Sequence, residues 1–338
     1  MRAVLYVDQE TGTTVGEVPD PAPGPADVIV AVEACGLCGS DVHAVQNGNC
    51  APGQVLGHEF SGKVVALGSE VSGWSEGQPV AASPIGSCGQ CRVCARGIPF
   101  RCPVVENIGI TIPGAYAQYV KVPARQLVAL PRDLPVEIGS HAEPLSVGSQ
   151  AVKLAQVGPG DPVLVYGVGP IGLYAIMALK LAGVGPIVAA GRRSVGRRQA
   201  AADVGADVVI DTREIPVAEY AKQSGRLFAA VLECSASPGA FNEALTVTEP
   251  GGTVVEVALT PEAAAVPLFP LISEGHHVVG ACAFSDETYA ESVAHLAAGR
   301  VPVERLVSER VTLDETPDAL RRLQTPGSLV RIISRPNA

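Results

Sequence analysis

Up to about Leu145, short runs rich in β-branched residues alternate with breaks rich in Gly and Pro. Val28–Glu33, Gly62–Leu67, Pro79–Ala82 and Tyr119–Val122 are such runs, and they predict the strands of a β-rich domain. From there the period changes. Leu145–Gln156 is helical in pattern, Asp161–Tyr166 is a short apolar strand, Gly172–Leu181 is helical again and Pro186–Ala190 is a second strand. Further strands are predicted at Val208–Ile210, Ala229–Leu232 and Thr253–Val257, with helical stretches between them. Strands and helices that alternate at this spacing imply parallel βαβ units in an open, doubly wound sheet. After about Ala283 the pattern reverts to a helix at Thr288–Ala298, a strand at Glu309–Leu313, a short helix and a terminal strand at Leu329–Ile333. The fold class is therefore α/β, a β-rich domain plus a parallel-sheet domain. Pro19–Pro25 is a loop, not a linker, and no internal repeat is found.

Composition narrows the function classes. A chain of 338 residues suffices for two domains, and with aromatics at 4% the core must rest on Val, Ala and Leu. No apolar run reaches the ~18 residues of a membrane span. Met1–Asp8 lacks the apolar segment and small-residue cleavage site of a secretory leader, so none is expected. The formal charge of −10 argues against nucleic acid or an anionic membrane as a partner. The nine cysteines are odd in number and cluster at metal spacings, which favours thiolate–zinc chemistry in a reducing cytoplasm over a disulfide scaffold.

The most specific signal is Cys88, Cys91, Cys94 and Cys102, a C-x2-C-x2-C-x7-C pattern. Four thiolates at such separations converge on one tetrahedral Zn²⁺ and leave no open position, so this is a structural zinc lobe. Upstream, Cys38 and His58 offer a thiolate and an imidazole, and a carboxylate from Glu59 or from Glu143 completes a second set of zinc donors. Cys38 thiolate, neutral His58 and one carboxylate just neutralise Zn²⁺ and leave a position for substrate oxygen.

Downstream, Gly167-Val168-Gly169-Pro170-Ile171-Gly172 is a G-x-G-x-x-G that follows the strand Val163–Tyr166 and opens the helix Ile171–Leu181, the context a dinucleotide site requires. Gly167 permits the tight turn, Gly169 admits the pyrophosphate to the backbone, and Gly172 lets helix and strand pack. The helix N-terminus, with Pro170 and Ile171, faces the phosphates. An acid is expected about 20 residues on to bind the ribose hydroxyls of NAD. That place holds Gly191, followed by Arg192, Arg193 and Ser194. A small residue leaves room for a 2′-phosphate and guanidinium groups bind it, so NADP(H) is expected over NAD(H). Asp203 and Asp211 lie too far along the sequence to replace the missing acid.

At these motifs the chain resembles the zinc-containing medium-chain dehydrogenases, from Met1 to about Ile333. The resemblance rests on Cys38, Gly57-His58-Glu59, the four-cysteine lobe, Gly114-Ala115-Tyr116-Ala117-Gln118-Tyr119-Val120, Glu143-Pro144-Leu145-Ser146 and the glycine fingerprint. It implies a GroES-like catalytic domain from residues 1–147 and 283–338, carrying the zinc lobe at 88–102. A Rossmann domain at 148–282 is inserted between the two segments, with catalysis in the cleft. By the same resemblance Cys38 and His58 are catalytic zinc ligands. The third ligand position falls on Glu143, where many alcohol dehydrogenases carry cysteine. Glu143-Pro144-Leu145 looks more like the polyol (sorbitol dehydrogenase-like) branch, in which the acid matching Glu59 often coordinates and the one matching Glu143 acts through water. Ser40 and His43 match the family's proton relay, and Asp41 matches the acid that orients the ligand imidazole. Two zincs per subunit, one catalytic and one structural, and a homodimer or homotetramer are implied.

The reaction expected is hydride transfer between NADP(H) and a small secondary alcohol, polyol, sugar or cyclitol-like alcohol, or the corresponding ketone. A zinc-free enone or quinone reductase shares the architecture, but has no need of Cys38, His58 and Glu143. A non-enzymatic zinc module that binds nucleic acid is disfavoured by the acidic balance. Cys35 is expected to be a buried small apolar residue, not a redox partner of Cys38. His141 is expected to be a hydrogen-bonded structural histidine, and His276 and His277 surface residues of a Gly-rich turn.

Overall fold

In the computed structural model, which describes every residue except Pro261 and Pro326, the first ordered element is one the sequence pattern had not marked. Arg2–Tyr6 and Thr13–Glu17 pair as an antiparallel hairpin. The chain divides into two units, Met1–Glu143 with Phe284–Ala338, and Pro144–Ala283. The helix Ala142–Ala155 crosses the first boundary, and its first two residues, Ala142 and Glu143, fall in the first unit.

The first unit is built on a seven-stranded sheet. Its order is Val307–Thr312, Arg331–Arg335, Asp27–Gly36, Glu59–Leu67, Pro79–Ala82 and Leu127–Ala129, with Tyr119–Pro123 also paired to Asp27–Gly36. The central strand shows why the sequence folds this way. Val28, Val30 and Val32 alternate along Asp27–Gly36 and are wholly buried, one residue in two facing the core. Each such valine contributes about 1.5–3 kcal/mol by leaving water. Phe60, Val64, Val80, Val120, Val122 and Ile332 join the same core from neighbouring strands. The late strand Arg331–Arg335 pairs antiparallel with the end of Asp27–Gly36, so the last part of the chain closes a sheet begun by the first.

The second unit holds six parallel strands in the order Val208–Asp211, Gly185–Gly191, Pro159–Tyr166, Phe228–Glu233, Thr248–Glu256 and His277–Gly280. Numbered by appearance this is 3-2-1-4-5-6, a Rossmann arrangement with its switch point between Pro159–Tyr166 and Phe228–Glu233. Val163, Leu164, Val165, Val188 and Val231 are fully buried, as strands covered on both faces require. The helix Pro170–Leu181 is buried from Gly172 to Leu179, which explains its apolar character on every side.

His276 departs from expectation. It is buried, with Nε2 at 3.2 Å from the Thr248 carbonyl oxygen, while His277 opens the edge strand and is exposed. The Gly-rich turn packs its first histidine inward, where its ring meets the Thr248 carbonyl. No helix among the described residues is long and apolar enough to cross a membrane.

Candidate active site and metal centres

The strand Asp27–Gly36 ends in the sequence that opens the site. Cys38 stands at the start of the short helix Gly39–Gln46, in extended conformation, and the helix then sorts its side chains by face. Ser40 and His43, three apart, are exposed, whereas Asp41 is buried on the opposite side. The sequence pattern missed this helix because it is brief and weakly apolar. Glu59 begins the neighbouring strand, His58 stands just before it, and both are buried as well. Gly57 precedes them with φ +95, and a Cβ there would lie 2.8 Å from the Tyr116 ring, so the turn needs glycine.

Ligand atoms of Cys38, His58 and Glu59 lie within 4.8 Å of one another. The Ser40 hydroxyl donates to Cys38 Sγ at 3.2 Å and lies 3.4 Å from His58 Nε2. The other ring nitrogen, Nδ1, faces Asp41 Oδ1 at 3.3 Å, so Nε2 is the atom left to turn towards Cys38. Asp41 is itself fixed, because the Tyr116 hydroxyl donates to its Oδ2 at 2.6 Å. Two partners were given no role from the sequence. One is Tyr116, which stood only within the motif Gly114–Val120. The other is Arg331, which pairs with Glu59 Oε2 and donates to the Ser140 carbonyl at 2.8 Å. A charged residue between the buried Val330 and Ile332 was the available signal for it.

Electrostatics favour a cation at this place. Burial and then Glu59 push the Cys38 thiol up. Burial alone would push the His58 imidazolium down, but Asp41 and Cys38 outweigh it and raise the group well above its usual range. Negative groups crowded out of water demand positive charge. A divalent metal meets the same demand, and the sulfur, nitrogen and oxygen donors suit zinc. Glu143 is not within the tight set among the described residues. Its carboxyl is pushed up to about 8 by burial, partly opposed by His58 and reinforced by Glu59. His141 is fully buried, and burial with Arg331 and Arg310 holds its imidazole well below its usual range, hence neutral. Cys35 is also fully buried and is not bonded to Cys38.

The lobe brings its four cysteines together. Sγ separations are 3.4 Å for Cys91–Cys94, 4.0 Å for Cys88–Cys94 and 4.0 Å for Cys91–Cys102. A tetrahedron with metal–sulfur bonds of ~2.3 Å has edges of ~3.8 Å, so the sulfurs already stand at zinc spacing. All four are thiols, not disulfides. Backbone donors at Gln90 and Cys91 pull the Cys88 thiol down to about 6, whereas burial pushes Cys94 up to about 11.

In the second unit Gly167 has φ +102, and a Cβ at Gly172 would collide with the Gly167 carbonyl oxygen, so both glycines are dictated by close approach. Gly169 caps the helix that starts at Pro170, and Ile171 follows in its first turn. Gly191 ends its strand against Val168 of the glycine loop. Arg192 and Arg193 are exposed, and among the described residues neither guanidinium has a carboxylate partner. Ser194 Oγ accepts from Arg197 N–H at 3.2 Å and caps the next helix. Asp211 is closer to this corner than its sequence distance suggested, because the sheet register sets it opposite Gly191. Its carboxylate is held at 2.7 Å by Arg198 and at 2.6 Å by Arg213.

Fold and sites together define a two-unit, metal-binding, dinucleotide-using oxidoreductase. Residues 24–132 match the alcohol dehydrogenase GroES-like domain and residues 170–298 match the zinc-binding dehydrogenase family. The chain is 32% identical to sorbitol dehydrogenase of Bacillus subtilis over 92% of its length and 90% of that protein. A protein from Sinorhizobium meliloti 1021, described as a candidate zinc-binding dehydrogenase and bound to NADP, superposes with TM-score 0.92 at 30% identity, covering 99% of both chains. A short chain alcohol dehydrogenase from E. coli CFT073 complexed with NADH gives TM-score 0.93 at 26% identity, again over 99% of each. The chain belongs to the zinc-containing medium-chain alcohol/polyol dehydrogenase family.

Proposed function

We propose that this chain is a zinc-dependent oxidoreductase that moves a hydride between NADP(H) and a secondary alcohol, preferably a polyol, or the matching ketone. The observation that carries the reading is the convergence of Cys38, His58 and Glu59 on one buried point beside the Ser40 hydroxyl. Cys38, His58 and Glu59 would hold the catalytic zinc, with the Glu143 carboxyl close by, and Cys88, Cys91, Cys94 and Cys102 the structural one. Bound there, zinc supplies Lewis acidity, and the nicotinamide supplies the hydride acceptor or donor. The chain's own residues do the rest. Ser40 hydrogen-bonds the reacting oxygen and takes up or returns its proton. His43, one turn further along the exposed face, passes that proton to solvent. Asp41 keeps the His58 ring in one tautomer, and Tyr116 keeps Asp41 in place.

The glycine loop Gly167–Gly172 takes the pyrophosphate, and Gly191, Arg192, Arg193 and Ser194 take the 2′-phosphate of NADP(H). The free guanidinium groups support that choice, since Arg198 and Arg213 are already committed to Asp211. Sorbitol dehydrogenase as a relative supports a substrate with neighbouring hydroxyls. The reading is tested with an absorbance screen of polyols, simple alcohols and ketones. Zinc content near two per subunit, turnover lost on chelation and a kcat/KM about tenfold or more in favour of NADP(H) are expected. The preference should shrink in the Arg192→Ala, Arg193→Ala double variant. Chelator-insensitive turnover would refute the zinc role, and an NAD(H) preference would refute the cofactor choice.

We also propose a homo-oligomer, a dimer or tetramer, in a reducing cytoplasm. Leu268, Phe269 and Ile272 are 63%, 82% and 74% exposed on the segment that leads into the edge strand His277–Gly280, itself carrying the exposed Val278. Such an apolar patch beside an unpaired strand edge suits a second copy. Light scattering should show at least a dimer, and Phe269→Glu should shift it towards monomer; a monomeric wild type would end the idea.

A further inference from the structure

Two acids stand side by side in the nucleotide-binding unit. Glu233 ends the strand Phe228–Glu233, Glu256 ends Thr248–Glu256, and the parallel register sets them opposite each other. Both side chains therefore leave the same face of the sheet. Glu233 is fully buried and is engaged by the turn that follows it. Ser235 N–H donates to its Oε1 at 2.8 Å, the Ser235 hydroxyl donates to the same oxygen, and Ala236 N–H donates to Oε2 at 3.2 Å. Glu256 is half-buried, and its Oε2 is enclosed with no hydrogen-bond donor facing it. Two adjoining carboxylates shielded from water do not both stay charged. The donors are already spent on Glu233, so the proton of the pair belongs to Glu256. Burial, then the adjoining Glu233 carboxylate, push its carboxyl up to about 8.

The turn that Glu233 organises is the one that packs on the glycine loop. Ala236 adopts φ +59, a left-handed conformation that alanine seldom takes, and the Oε2 contact holds it there. A Cβ on Gly167 would lie 2.7 Å from Ser235 N and 2.8 Å from the Cys234 carbonyl carbon. Cys234 N–H donates to the Tyr166 carbonyl at 2.7 Å, which ties the turn to the strand that delivers the loop. Movement of this turn therefore reaches the first glycine directly.

We propose that Glu256 is a positioning residue for the dinucleotide: its proton lets the Glu233–Glu256 pair brace the turn Cys234–Ala236 beneath Gly167. This rests on the assignment of the nicotinamide cofactor to that loop. Glu256 touches no reacting atom; it acts through Glu233. The other titratable and charged groups around the pair are Cys234 and Tyr166, with Glu243 and Arg192 next to Tyr166. The strand on the far side sets Gly280 opposite Glu256. Burial with Glu233 and Glu256 pushes the Cys234 thiol well up, and burial with Glu243 raises Tyr166, so both keep their protons where Glu256 titrates.

The sign follows from where the proton is bound. An exposed glutamate releases it near 4.5, the folded chain only near 8. The pair's contribution to stability is complete below the lower value, declines as pH rises and is gone above the upper one. The folded brace itself persists until Glu256 ionises, so cofactor affinity should hold near neutrality and fall above about pH 8. The test is NADPH binding to the full chain by fluorescence titration from about pH 6.5 to 9.5, with wild type, Glu256→Gln and Glu256→Met. Wild-type affinity should fall about five- to tenfold relative to Glu256→Gln, which keeps a donor but cannot ionise. Glu256→Met should bind more weakly with no such pH dependence. Amide-exchange protection at Ser235 and Ala236 in cofactor-free wild type should drop over the same range. Parallel affinity profiles in all three proteins, with constant protection, would overturn the brace. Failure to bind NADPH or NADH at any pH would instead overturn the dinucleotide assignment, and the exchange data would still decide the brace.

Discussion

Replacing Cys38 with serine is expected to remove one metal per subunit and to cut turnover by about a thousandfold or more. A serine hydroxyl is neutral and hard, a poor substitute for a thiolate on zinc. The loss corresponds to several kcal/mol of charge stabilisation on the reacting oxygen, at about 1.4 kcal/mol for each factor of ten. The rest of the molecule gives no reason to fail with it. Cys38 lies at the start of a short helix and is only partly exposed, and the second unit is a continuous segment with its own core. NADPH titration should therefore give a near wild-type affinity, and metal analysis should still find the lobe zinc. Unchanged zinc content together with unchanged turnover would sink the proposed function at its root.

Arg331→Met should strongly destabilise the first unit. Arg331 and Glu59 are 2% and 3% exposed, and Arg331 also donates to the Ser140 carbonyl. In the metal-free chain, removing the cation leaves Glu59 as a buried charge without its partner, a loss of about 3–5 kcal/mol. The single tryptophan, Trp74, packs on the core of this unit, so its fluorescence during urea unfolding reports the right part of the molecule. The double variant Glu59→Gln, Arg331→Met should recover much of the loss, because it removes both charges together. A single-variant cost under about 1 kcal/mol would show that Glu59 is compensated by something other than Arg331.

Much of this was legible beforehand because the signals were local. The glycine loop sits between a strand and a helix that the apolar pattern marks, and Gly167 and Gly172 are required by backbone contacts within that unit. The four cysteines of the lobe lie close in sequence, so their spacing alone sets the sulfurs near one another. What stayed hidden depends on distant pairing. Arg331 meets Glu59 only because the terminal strand adds to the sheet beside Asp27–Gly36. Asp211 looked remote from Gly191 until the parallel register placed the two side by side. His276 lay in a segment read as surface and turned inward towards a carbonyl of Thr248. The helix Gly39–Gln46 is too short for a clear amphipathic stripe, yet it separates Ser40 and His43 from Asp41.

The route of the chain through its two units bears on how it is made. The nucleotide-binding unit is one uninterrupted stretch, Pro144–Ala283, and can close as soon as it leaves the ribosome. The metal-holding unit has its sheet completed by Arg331–Arg335, so Glu59 lacks its Arg331 counter-charge until that strand has emerged. Completion of the first unit therefore needs a segment made after the whole of Pro144–Ala283, so the second unit can fold before the first is closed.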